Sequence, residues 1–135
     1  MPSVPDDANL SAKAKCILAE IDQAFGLIPN LFRVQAEIDA DWLELNWKRE
    51  QQIMLTEGAL DRKTKELTAM TVALQQHSDY CALAHETLAG MVGASQAEIH
   101  AAKLVIELFS SFSAIANSLR VPCDIFPPGE KQAVR

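Results

Sequence analysis

Residues 66–85, ELTAMTVALQQHSDYCALAH, hold two helical stretches with a break between them. Leu67, Met70, Thr71 and Leu74 recur every three or four positions, the spacing of one apolar helix face, and predict a helix over 62–77. Ser78 then stands where a following helix takes its N-cap. Cys81 falls in the first turn of that second helix, where the helix dipole favours a thiolate. His85 lies four residues on, so the two side chains share a face, with Cβ atoms about 5–6 Å apart. A thiol beside an imidazole is the smallest arrangement that makes sulfur an activated nucleophile. Glu66 sits among Leu67, Ala69 and Met70, and a carboxylate buried there needs a partner. His85 is one choice, to be oriented or to exchange protons; Arg62 or Lys63 at the surface is the other. Ser78 has a second expected use, a hydrogen bond from its hydroxyl to the Cys81 sulfur, which favours the ionised form.

Outward from this stretch the chain reads as helix throughout, with no strand alternation and no clear internal repeat. Ala14, Ile17, Leu18, Ile21 and Phe25 form an amphipathic stripe that Gly26 closes. Ile28-Pro29-Asn30 interrupts the chain, and Asn30 is the expected cap of a short second helix that Leu31, Val34 and Ile38 mark out by their spacing. Asp39 to Asp41 permit a restart. Trp42, Leu45, Arg49, Ile53 and Met54 continue through a third helix that Gly58 ends. Leu60-Asp61 reads as a staple residue and an N-cap for the helix that carries Glu66. The helix of Cys81 is expected to stop near Gly90 or Gly93. Ser95 and Glu98 spell an S-x-x-E capping box for a sixth helix, rich in Val105, Ile106, Leu108, Phe109, Phe112 and Ile115. That is more apolar surface than a one-sided stripe needs, and it predicts a central helix that also packs on another subunit. An extended tail is expected over 121–135, around Pro127-Pro128-Gly129.

The 135 residues suit one domain over 1–135, and 49% are apolar, enough for a core. A net charge of -6, with no basic stripe, argues against a nucleic-acid partner. No uninterrupted apolar run approaches the ~20 residues of a membrane span, so no membrane partner is expected. Residues 1–8 carry no signal-peptide pattern, which makes the cytoplasm the expected location. Three scattered cysteines, Cys16, Cys81 and Cys123, suggest reduced thiols, not a disulfide framework. Cys16, beside Ile17 and Leu18, is expected as a small buried hydrophobe; Cys123 follows a proline in a loop and has no assigned role. His77, Cys81 and His85 recur every fourth residue, but His77 ends one helix before Ser78 opens the next, so no metal site is expected. His100 is expected to face solvent. Trp42 and Trp47 read as core or interface aromatics, Trp47 also as a possible pocket wall.

The segment 60–102 resembles the AhpD-like alkylhydroperoxidases of the carboxymuconolactone decarboxylase superfamily. Their core reads E-x11-C-x2-C-x3-H; this chain has Glu66-x11-Ser78-x2-Cys81-x3-His85. The stretch Phe25-Gly26-Leu27-Ile28-Pro29-Asn30-Leu31-Phe32 is similar to the FG-x-x-PNLF lead-in of many members. The resemblance implies an all-α fold of about six helices that assembles into dimers, trimers or hexamers. It also implies peroxide reduction with no bound cofactor, the reductant being an external thiol or a lipoyl group. Carried over by position, Cys81 is the thiol that meets peroxide, and His85 and Glu66 relay protons. Ser78 stands at the resolving cysteine, so the disulfide that the family forms there has no second sulfur. Tyr80 stands where some members place another histidine. Cys16 or Cys123 would have to resolve Cys81, or an outside thiol would. Two other functions stay open: a lyase of the superfamily's cysteine-free branch, with His85 and Glu66 doing acid/base work, and a catalytically degenerate, redox-sensing oligomer.

Overall fold

The computed structural model describes residues 6–129. The expectations for the first five residues and for the tail beyond 129 lie outside them. Six α-helices make up the described chain, which contains no strand. They fall into two compact units that part between Arg62 and Lys63.

The first unit holds α1 (Ala12–Phe25), α2 (Asn30–Ile38) and α3 (Ala40–Glu50), after a 3-10 turn at Asp7–Asn9. Ser11 caps α1, its Oγ accepting from Ala14 N at 3.1 Å. Gly26 ends the helix at φ 73°, in the left-handed region where a side chain is strained. Asn30 is not a cap: Pro29 holds the extended cap position and Asn30 is the first helical residue, in line with proline's fixed φ. Asp39 does restart the chain, its Oδ1 accepting from Asp41 N at 2.7 Å and Trp42 N at 3.2 Å.

The α1 stripe is buried as its spacing predicts, through Ala14, Ile17, Leu18 and Ile21. The stripes expected of the next two helices are not. Leu31, Val34 and Ile38 are exposed, and α2 buries Phe32, Gln35 and Ala36 instead. In α3, Trp42 and Leu45 are exposed, while Leu43 and Trp47 are buried. The reason is aromatic packing. Phe25, Phe32 and Trp47 meet with ring centroids 5.7 to 6.4 Å apart, and turning Phe32 and Trp47 inward turns the other stripe outward. Trp47 is thus a core residue, its Nε1 donating to Glu20 Oε2 at 3.2 Å. Buried Gln35 accepts from Asn46 Nδ2 at 3.0 Å, which satisfies its carbonyl. Cys16 is exposed, contrary to expectation: it sits off the Ala14–Ile17–Leu18–Ile21 face of α1.

After Glu50 the chain does not run straight on to Gly58. Gln51–Leu55 form a π-helical turn. Thr56 closes it, its N–H and its Oγ1 both donating to the Gln51 carbonyl at 2.9 Å.

The second unit holds α4 (Arg62–Gln75), α5 (Asp79–Met91) and α6 (Gln96–Ser118). Its core is Met70, Ala89, Ala94 and Ile99, with Leu67, Leu74 and Ala102 packed against them. The alanines let helix backbones approach closely. Polar ties join the helices at the rim: Lys63 to Glu98 and Lys103 to Glu86, both 2.7 Å, and Gln75 to Ser110 at 2.5 Å. His100 is exposed, as expected.

The Ser95–Glu98 capping box is formed on both sides: Glu98 N to Ser95 Oγ at 3.1 Å, Ser95 N to Glu98 Oε2 at 2.7 Å. Lys63 foremost, with the Ser95 N–H, holds the Glu98 carboxyl below the usual carboxylate range. A carboxyl lowered in the folded state contributes stability above its ordinary value and loses it as pH falls through the folded value. Losing the N-cap in Ser95→Ala should cost about 1 kcal/mol in urea unfolding at neutral pH. Glu98→Gln should flatten the dependence of stability on pH below the ordinary carboxylate value. Identical unfolding curves for Ser95→Ala and wild type would show that the cap contributes nothing.

Candidate active site

Glu66, Ser78, Cys81 and His85 all lie in the second unit, on α4, at the start of α5 and along its first two turns. The break between the helices does not lie where the apolar spacing alone would put it. α4 ends at Gln75, and His77 follows at φ 55°, in the left-handed region. His77 is therefore in the turn, off the helix that carries Cys81 and His85. Among the described residues no three His, Cys, Asp or Glu side chains group as metal ligands.

Ser78 caps α5 as its place in the sequence predicts. It is extended at φ -97° and ψ 93°, and its Oγ accepts from Cys81 N at 3.4 Å. The expected hydrogen bond from Ser78 to the Cys81 sulfur is not formed. Cys81 is half-buried, with partial access to solvent, and Sγ has no hydrogen bond among the described residues.

Glu66 is fully buried on α4, and His85 Nδ1 lies 2.7 Å from its Oε2. The carboxylate is thus engaged inside the unit and is not confined to a surface pair with Arg62 or Lys63. Its side chain is 1% exposed, whereas that of His85 is 23% exposed. With the carboxylate ionised, Nδ1 carries a proton and donates it to Oε2. Nε2 is then left with its lone pair, on a ring whose orientation the carboxylate fixes. Such an imidazole can accept a proton at Nε2, and the buried carboxylate stabilises the cation that results. Ring and sulfur share a face of α5 by their spacing, but no hydrogen bond joins them at rest. Catalytic hydrogen bonds are often loose until substrate is bound.

Every side chain in this group was visible in the sequence. A hollow of about 360 Å³ was not; it lies in the first unit, between Asp6, Ser11, Glu37 and Asp39, and contains no thiol or imidazole. No periodic or motif signal marks it.

Comparison with known proteins bears on the same residues. The model of the carboxymuconolactone decarboxylase family matches residues 40–122, which include all four. No curated protein matches the chain in sequence. Among solved structures, the alkylhydroperoxidase AhpD core from Rhodospirillum rubrum is similar over 90% of this chain and 92% of that one. It superposes with a TM-score of 0.83 at 27% sequence identity.

Proposed function

The chain belongs to the carboxymuconolactone decarboxylase family, with an all-α AhpD-like fold, and from that premise we propose that it is a one-cysteine thiol peroxidase. The observation that carries this reading is the 2.7 Å bond between His85 and buried Glu66, one turn beyond a half-buried Cys81 at a capped helix start. The likeness to a structure described as an alkylhydroperoxidase supports it.

The chemistry runs in three steps. His85 Nε2 takes the Cys81 proton, and the thiolate attacks the terminal oxygen of a peroxide. The O–O bond breaks, sulfur is oxidised by two electrons to the sulfenic acid, and the leaving oxygen takes the proton to depart as alcohol or water. An external thiol then attacks the sulfenic sulfur, releasing water and leaving a mixed disulfide. A second thiol attacks the reductant's sulfur in that disulfide, frees Cys81 and leaves as oxidised disulfide. Ser78 has no sulfur with which to shorten this route.

The test compares wild type with Ser78→Cys under peroxide, using a monothiol and a dithiol reductant. The wild type should turn over with either and should give a dimedone adduct at Cys81. Ser78→Cys should lose the adduct to an internal disulfide and come to depend on the dithiol, by tenfold or more over the monothiol, on the order of one well-placed catalytic group. A silent wild type beside an active Ser78→Cys would mean turnover was lost with the resolving cysteine.

One observation favours a second reading. Sγ is not hydrogen-bonded to His85. A lyase that uses only the His85–Glu66 pair as acid and base would not need it to be. Turnover of a lactone acid that survives alkylation of Cys81 would select that reading.

A further inference from the structure

We propose that the site switches itself off when peroxide outruns thiol, through a second oxidation of Cys81 to the sulfinic acid. This rests on the peroxidase reading and sets a limit to it. The sulfenic acid left by a first peroxide has no sulfur beside it in the turn, because residue 78 is a serine. It leaves that state by meeting an outside thiol, and a second hydroperoxide competes for the same sulfur. The base that ionises the thiol is held ready for this second step. His85 Nδ1 lies 2.7 Å from Oε2 of Glu66, whose side chain is 1% exposed. The sulfur is held as well. Ser78 N donates to the Ala73 carbonyl at 3.0 Å, and Ala82 N donates to the Ser78 carbonyl at 2.9 Å. Cys81 N donates to Ser78 Oγ at 3.4 Å. Ala82 and Ala89 are buried and anchor α5 along its inner side. Swinging Cys81 away from His85 would break the first turn of α5 and expose Ala82. Oxidised Cys81 therefore waits in the geometry that oxidised it.

The oxidant of this step is a second hydroperoxide. His85 Nε2 takes the sulfenic proton, and the sulfenate sulfur attacks the terminal peroxide oxygen. An S–O bond forms as the O–O bond breaks. Sulfur loses two more electrons, and the leaving oxygen takes the proton from His85 and departs as alcohol or water. The sulfinic acid then ionises in the first turn of α5, where the helix dipole favours an anion. Thiols do not reduce it. Each sulfenic acid is thus rescued or lost according to the ratio of thiol to peroxide around it. A sulfur at position 78 would change that ratio. Ser78 Oγ lies 3.4 Å from Cys81 N, which puts a sulfur there in the Cys-X-X-Cys arrangement that closes a disulfide. A well-oriented internal group acts at an effective concentration on the order of 10⁵ M, which no outside thiol reaches.

Repeated additions of cumene hydroperoxide to the full chain, at a fixed concentration of dithiothreitol, test this. Wild-type activity should fall with each addition, and the dose that halves it should rise in proportion to the thiol. Peptide mass mapping should find two added oxygen atoms on Cys81. Cys16 and Cys123, neither of which has a histidine within four residues, should not carry them. Helical circular dichroism should stay unchanged as activity is lost. Ser78→Cys should withstand about tenfold more peroxide or better, since its internal thiol outcompetes the second oxidant. Sustained turnover with no two-oxygen form at Cys81 overturns this proposal and leaves the peroxidase reading standing. So does a halving dose indifferent to thiol, or a disulfide from Cys81 to Cys16 or Cys123. Equal sensitivity of wild type and Ser78→Cys likewise overturns it, because the missing sulfur would not be what exposes Cys81. A chain that consumes no peroxide from the first addition overturns the peroxidase reading, and this proposal with it.

Discussion

Cys81→Ser should reduce peroxide consumption to background, a loss on the order of 10³-fold or more, as for removal of any covalent nucleophile. The substitution is nearly isosteric, and the Cys81 N–H to Ser78 Oγ contact uses only backbone on the Cys81 side, so the helix start should survive. Hydroxyl oxygen has no counterpart of the sulfenic state, so no intermediate can form. Cys16 and Cys123 supply an internal control. Both are exposed, and both remain in the variant. If either consumed peroxide at a matching rate, Cys81→Ser would retain it. Stopped-flow measurement of peroxide loss decides the matter, and equal rates for the two proteins would end the peroxidase reading.

Glu66→Gln should cost 10²- to 10⁴-fold in kcat/KM for peroxide, the usual range for a positioned acid/base pair. The amide fills the same buried space and its oxygen can still accept from His85 Nδ1, so the second unit should keep its fold. What disappears is the negative charge that stabilises the protonated ring. That charge counts for most where it is hidden from water, and Glu66 is completely buried. A merely structural role would give a different pattern: unfolding shifts with the rate of peroxide loss and of Cys81 alkylation unchanged. That pattern would remove Glu66 from the relay.

The local signals in this sequence carried well. Ser78, Ser95 and Gly26 end or begin helices through contacts within a few residues, and each does so in the fold. The Glu66–His85 pair was legible because a carboxylate set among apolar neighbours demands a partner. The inner faces of α2 and α3 were not. Each helix has two apolar stripes, Leu31–Val34–Ile38 against Phe32–Ala36 and Trp42–Leu45 against Leu43–Trp47. Periodicity scores both alike, and only the three-way packing of Phe25, Phe32 and Trp47 selects one. Cys16 failed for a related reason: apolar neighbours in sequence are not neighbours on a helix surface. The Ser78 hydroxyl serves the helix as an acceptor from the Cys81 N–H, and its expected bond to the Cys81 sulfur is not formed.

The widened turn at Gln51–Leu55 has a consequence for the phase of everything around it. Each residue advances an α-helix by about 100°, so a ring that closes five residues back absorbs one extra step without unwinding its flanks. Trimming one residue between Gln51 and Leu55 would relax that ring to ordinary pitch and leave the aromatic trio upstream in place. The chain thus holds one place where its length can vary by a single codon at small cost, latched by Thr56 on the Gln51 carbonyl.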